Sequence, residues 1–129
     1  MDKELDRAIR NTLIGGVRLL AILFLSVGFL GLGMLKLVGQ PEIIEHFKTW
    51  NIPSVVMYII GTFELVIAVG IFYQPTRKIS SIITCFFMLV ISGFHLVKGD
   101  YTYLIAPTVI LFISFILFII ESRIQNQNQ

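Results

Sequence analysis

Residues 13–38, 52–73, 79–97 and 101–120 are four long, almost uncharged stretches separated by short polar ones. Each is close to or above the roughly 20 residues a helix needs to cross a hydrocarbon core about 30 Å thick. The runs are too long for ordinary strands and lack the alternation of a membrane barrel, so all four read as helices. The pattern predicts an all-α fold, an integral membrane four-helix bundle of up-down topology, with residues 1–129 forming one transmembrane domain. Between the first two spans, PEIIEHFKTWNIP places Ile43, Ile44 and Phe47 at helical spacing behind Pro41, with Glu42, Glu45, His46 and Lys48 interleaved. A short helix over about 41–50 should therefore lie along the membrane surface. Trp50 would anchor it at the headgroups, Pro53 would start the second span, and His46 on the wet side would be a solvated histidine rather than a ligand.

Composition agrees with a lipid environment. Of 129 residues 56% are hydrophobic, and only 10 Lys and Arg and 8 Asp and Glu are present, which is too apolar for a water-soluble domain of this size. The first run is longer than a signal peptide's apolar segment and follows the mixed-charge stretch MDKELDRAIRN, so it is expected to be retained. Lys3, Arg7, Arg10, Arg77, Lys78 and Arg123 flank one side of the spans and Lys36, Lys48 and Lys98 the other. That asymmetry predicts both termini in the cytoplasm. Arg18 is expected to snorkel to the cytoplasmic headgroups from just inside the first span. Gln125–Gln129 read as a polar end with nothing to bury. A pI near 8.9 reflects these topology-setting cations and not a nucleic-acid surface.

Candidate chemistry begins with Glu64, near the middle of an apolar run, where hydrocarbon offers a carboxylate neither water nor counter-ion. A charge at that depth costs from about 2.5 to more than 10 kcal/mol, so Glu64 needs a partner or a proton. Gly61, Glu64 and Ala68 share a face suited to close helix packing. Lys36 follows Gly33 by one turn in the glycine-rich end of the first span, and both pairing with Glu64 and snorkelling outward stay open for it. Pairing would need helix tilt and the long lysine stem to bridge the depth difference between the two residues. In the third span Ser81, Thr84, Met88, Ser92 and His95 form a stripe that should turn inward. Its hydroxyls commonly do no more than satisfy backbone carbonyls, but His95 adds a titratable imidazole in the same outer half as Lys36 and Glu64. Lys36, Glu64, Ser92 and His95 are thus the candidate ligand or proton site, with no catalytic residue assigned. The fourth span reads as mostly scaffold, with a bend expected at Pro107, which removes a backbone donor, and with Tyr101 and Tyr103 in the outer aromatic belt. Cys85 stands alone, which excludes an intramolecular dithiol cycle, and no metal-ligand spacing, phosphate loop or nucleophile elbow is present.

The succession of Arg18, GFLGLGMLKL closing the first span, a short outer helix, GTFELVIAVGIF in the second, a basic TRK turn and His95 late in the third resembles the DoxX-like family of small four-helix membrane proteins. The resemblance covers most of the chain, and its force lies in the whole arrangement. It implies a four-helix protein of the bacterial inner membrane, related to proteins described as subunits of quinone-linked oxidoreductases, notably thiosulfate:quinone oxidoreductase. The family's recurring Lys and Glu map onto Lys36 and Glu64, with no residue here identifying thiosulfate as a substrate. Two function classes follow. In one, Lys36, Glu64 and His95 line a polar pocket for a quinone headgroup, and a soluble or membrane redox partner supplies electrons, since the chain carries no cofactor site of its own. In the other, Lys36 and Glu64 are a structural ion pair in a non-enzymatic protein that assembles or stabilises another membrane protein. Oligomer formation is compatible with either.

Overall fold

The computed structural model describes residues 2–127, which form five α-helices and two 3-10 turns, with no strand among them. Helices α1 (Asp2–Val38), α3 (Ser54–Phe72), α4 (Arg77–Lys98) and α5 (Ile105–Gln127) are each long and apolar enough to cross a membrane. Helix α2 (Pro41–Thr49) is the short segment between the first two spans, and the 3-10 turns Gln74–Thr76 and Tyr101–Leu104 lead into α4 and α5. The all-α membrane architecture read from the apolar pattern is the one observed.

Boundaries move where helix propensity outruns hydrophobicity. α1 starts at Asp2 because Lys, Glu, Leu, Arg and Ala are good helix formers and Asp2 and Glu4 sit favourably in its first turn. α5 runs past residue 120 to Gln127, so the polar tail is helical but exposed up to that point, and residues 128–129 lie outside the described residues. Pro107 occupies the first turn of α5, where its missing N–H has no intrahelical acceptor to lose; it starts the helix rather than bending it.

Asp2 and Gln127 lie at one end of the bundle, the terminal end, and α2 lies at the opposite, distal end. At the distal end three helices close on a left-handed residue, Gly39 after α1, Asn51 after α2 and Gly99 after α4. In each case the following N–H reaches back five residues: Gln40 to the Leu35 carbonyl at 3.1 Å, Ile52 to Phe47 at 3.0 Å and Asp100 to His95 at 3.0 Å. These are hydrogen-bonded stops that satisfy otherwise orphaned carbonyls.

α1 packs most extensively on α3, and α4 on α5, with lighter contact between the two pairs. The shared core holds Ala21, Ile22, Leu25 and Phe29 of α1, Ile67, Ala68 and Ile71 of α3, Met88 of α4 and Leu117 of α5. Side chains as large as Leu20, Val27, Val66, Phe86 and Phe112 point outward, which only a lipid environment makes acceptable. The predicted polar stripe of α4 does turn inward. Two of its hydroxyls are engaged by their own helix: Ser81 Oγ donates to the Arg77 carbonyl at 2.8 Å and Thr84 Oγ1 to that of Ser80 at 2.7 Å.

Candidate functional site

Gly33 and Gly61 let the backbones of α1 and α3 meet. A Cβ on Gly33 would lie 2.8 Å from the Gly61 carbonyl oxygen, and one on Gly61 would lie 2.9 Å from the Lys36 Cβ and 3.0 Å from the Gly33 carbonyl oxygen. Lys36 follows Gly33 by three residues and Glu64 follows Gly61 by three, so the close approach brings the two charged side chains to one seam. Lys36 Nζ donates to both carboxylate oxygens of Glu64, at 2.9 and 2.8 Å. The lysine stem starts against Gly61 and runs inward to a carboxylate one turn deeper, which closes the depth gap between the residues. The side chains are 13% and 6% exposed, so the pair is buried in the bundle and Lys36 does not snorkel.

Gly61 is thus the groove in which that stem lies. A Gly61→Ala variant is expected to melt on the order of 5 °C lower in detergent, because the added methyl must displace the stem or part the helices. Gly28→Ala is the control: its Cβ would meet nothing within 4 Å, and its melting temperature should not fall.

A second ionic cluster lies at the terminal end. Arg18 Nε and Nη2 donate to the two Glu121 oxygens at 2.6 and 3.2 Å, and Arg77 Nη1 reaches Glu121 Oε1 at 3.4 Å. Arg77 also donates to the carbonyls of Ile71 at 2.7 Å and Phe72 at 2.8 Å, satisfying the C-terminal end of α3. All four spans meet at this cluster. Two expectations are corrected by it. Arg18 does not simply snorkel, because a buried carboxylate presents two oxygens that match the planar guanidinium fork; α5 is more than scaffold, because Glu121, 3% exposed, is the hub. Sequence reasoning missed Glu121 and Arg77 as site residues. The available signal was their depth: Glu121 closes the last apolar run and Arg77 opens the third, at the same end as Arg18.

His95 lies elsewhere. It is buried at the distal end of α4, stacked on Tyr103 at 5.8 Å and edge-on to Trp50 at 5.0 Å. His46 joins the cluster, its ring 4.2 Å from Trp50, 4.8 Å from Tyr103 and 6.5 Å from His95. The surface histidine expected at position 46 is therefore half-buried among rings, and Trp50 turns its indole N–H to Asp100 Oδ2, at 2.8 Å, instead of to headgroups. The end of α2, with Trp50 after it, in this way packs against the distal end of α4 and the 3-10 turn that leads into α5. The amphipathic pattern of α2 located its apolar face but could not say which helix it covers.

Among the described residues, no hydrogen bond or ion pair joins Ser92 or His95 to the Lys36–Glu64 pair. The four sequence-predicted site residues thus divide into two groups. The buried atoms Ser92 Oγ and His95 Nδ1 have no hydrogen-bond partner. A groove of about 590 Å³ opens between α3 and α4 along Thr62, Leu65, Val69, Gly70 and Ser80, and another of about 670 Å³ runs beside Met34, Val38, Gln40 and Pro41. None of Lys36, Glu64, Ser92 and His95 lines either groove.

Comparison with known proteins finds no match among curated proteins or solved structures. The family model described as "DoxX-like family" matches residues 12–117, a stretch that includes Arg18, Lys36, Glu64 and His95 and enters all four membrane helices. With that match over most of its length, the chain belongs to the DoxX-like family.

Proposed function

We propose that this DoxX-like membrane protein is a membrane subunit of a quinone-linked oxidoreductase system, set in a bacterial cytoplasmic membrane with both termini inside and the distal end outward. The cation asymmetry supports the orientation. The observation that carries the functional reading is the pair of unsatisfied polar atoms, Ser92 Oγ and His95 Nδ1, three residues apart on α4, with the His95 ring against Trp50 and Tyr103. Buried polar atoms without partners are rare in folded proteins and ask for a ligand or water. A quinone, when bound, supplies two-electron, two-proton chemistry. Its flat headgroup and carbonyl oxygens suit the aromatic rings and the two donors available here. Ser92 would orient a carbonyl, and His95 would hold or move a proton at Nδ1. Electrons come from a redox partner protein. In this reading Lys36 and Glu64 position α1 against α3, and their substitution acts on the site only through the bundle.

The test is mass spectrometry of lipid-soluble molecules retained by the purified protein. Wild type is expected to retain quinone, and Ser92→Ala/His95→Leu to retain at least tenfold less with an unchanged melting temperature. Equal quinone in both, or none in either, rejects the reading. One observation favours the second class: Lys36 bonds both carboxylate oxygens of Glu64, as a structural pair does. A protein that only assembles or stabilises a neighbour would carry a stoichiometric membrane partner through purification, and would carry it whether or not Ser92 and His95 were replaced.

A further inference from the structure

Every residue from Asp2 to Leu13 is exposed, although the segment is one continuous helix with the first span. The bundle closes at the level of Arg18, through its pair with Glu121. From there to Asp2 the helix runs on for about 24 Å at 1.5 Å per residue. Its two sides differ in chemistry. Leu5, Ile9 and Leu13 recur every four residues, with Ala8 and Thr12 on one flank and the carboxylates of Asp2 and Asp6 on the other, while Lys3, Glu4, Arg7, Arg10 and Asn11 occupy the opposite side.

That apolar stripe is unpartnered: Leu5 is 55% exposed, Ile9 50% and Leu13 64%. It is also continuous in angle around α1 with Leu20, Phe24 and Val27, large exposed side chains of the span itself. The stripe is therefore an extension of the surface that faces lipid. Gly15 and Gly16 separate the two parts. A Cβ at either would meet nothing within 4 Å, so no close approach to another helix accounts for them. Glycine weakens a helix interior through backbone entropy, and paired small residues of this kind are where helices bend. The four-residue spacing drifts around the helix and does not keep the seven-residue repeat that pairing with a second arm would use.

We propose that Asp2–Leu13 is an interfacial arm that bends at Gly15 and Gly16 and lies on the bilayer surface at the terminal end. Leu5, Ile9 and Leu13 enter the acyl boundary, while Lys3, Arg7 and Arg10 stay among the headgroups. Because the arm is tethered to a helix already in the membrane, its docking is intramolecular and three apolar anchors suffice.

The test uses the full chain with Cys85→Ser in vesicles of phosphatidylethanolamine and phosphatidylglycerol. An environment-sensitive fluorophore is placed on a single cysteine, either Ile9→Cys or Arg7→Cys. Quenching by lipid-borne spin labels should be at least fivefold stronger at position 9 than at position 7, with iodide in the water giving the reverse order. Leu5→Glu/Leu13→Glu should abolish the difference, and Gly15→Ala/Gly16→Ala should reduce it by stiffening the hinge. Equal iodide access at both positions would mean that the arm projects into water and would overturn the proposal. A position 9 shielded from both quenchers would also overturn it, assigning the stripe to a protein partner or a second copy. A difference untouched by the Gly15→Ala/Gly16→Ala variant would reject the hinge.

Discussion

Replacing Glu121 by alanine is expected to destabilise this protein by about 3–5 kcal/mol, the range for removing one partner from a buried ion pair. The substitution strips the shared counter-charge from Arg18 and Arg77, which reach it at 2.6 and 3.4 Å. Arg77 keeps its bonds to the Ile71 and Phe72 carbonyls, so Arg18 bears most of the loss. Thermal melts in detergent should show a drop of more than about 10 °C for Glu121→Ala and a smaller one for Glu121→Gln, which keeps an acceptor for the guanidinium. Adding Arg18→Leu to Glu121→Ala should recover part of the stability, because the cation left without its carboxylate is gone. If Arg18 snorkelled instead, Glu121→Ala would melt close to wild type and the double variant would show no recovery.

The contrast between Arg18 and Lys36 shows how far the sequence could be read. Four apolar runs, a proline-started amphipathic segment and glycine-rich helix ends announce the bundle, because lipid makes length and hydrophobicity nearly sufficient to specify a spanning helix. Pairing between spans is a different matter. For Lys36 and Glu64, Gly33 and Gly61 each stand one turn earlier, so a close-packing signal and a charge signal coincide in sequence. For Arg18, Arg77 and Glu121 no such signal exists: the residues are far apart in the chain, and cations near span ends look alike whether they set topology or bind a carboxylate. His46 was misread for a related reason. Trp50, four residues on, is its neighbour along the helix, but only the tertiary arrangement brings Tyr103 and His95 to it. The part of helix α1 before residue 13 is hidden because a polar stretch carries no apolar run.

The second large effect concerns Lys36 and Glu64, where one set of variants separates a ligand site from a structural pair. Lys36 Nζ gives hydrogen bonds to both Glu64 oxygens within the bundle, and nothing else in the described residues accepts from it. Glu64→Gln removes the negative charge and leaves an ammonium 13% exposed facing an amide. About 2–4 kcal/mol of stability should be lost, read as a melting temperature lower by roughly 5–10 °C in detergent. Lys36→Met alone should do comparable harm by stranding the carboxylate. The double variant Lys36→Met/Glu64→Gln should recover much of the loss, since neither uncompensated charge remains and methionine fills the path of the lysine stem over Gly61. Quinone retention decides the rest. If Ser92 and His95 hold the headgroup, the double variant keeps its quinone once the fold is restored. If Glu64→Gln instead leaves the melting temperature unchanged while quinone disappears, and the double variant restores neither activity nor ligand, the carboxylate itself belongs to the ligand site and the pair is more than a clasp between α1 and α3.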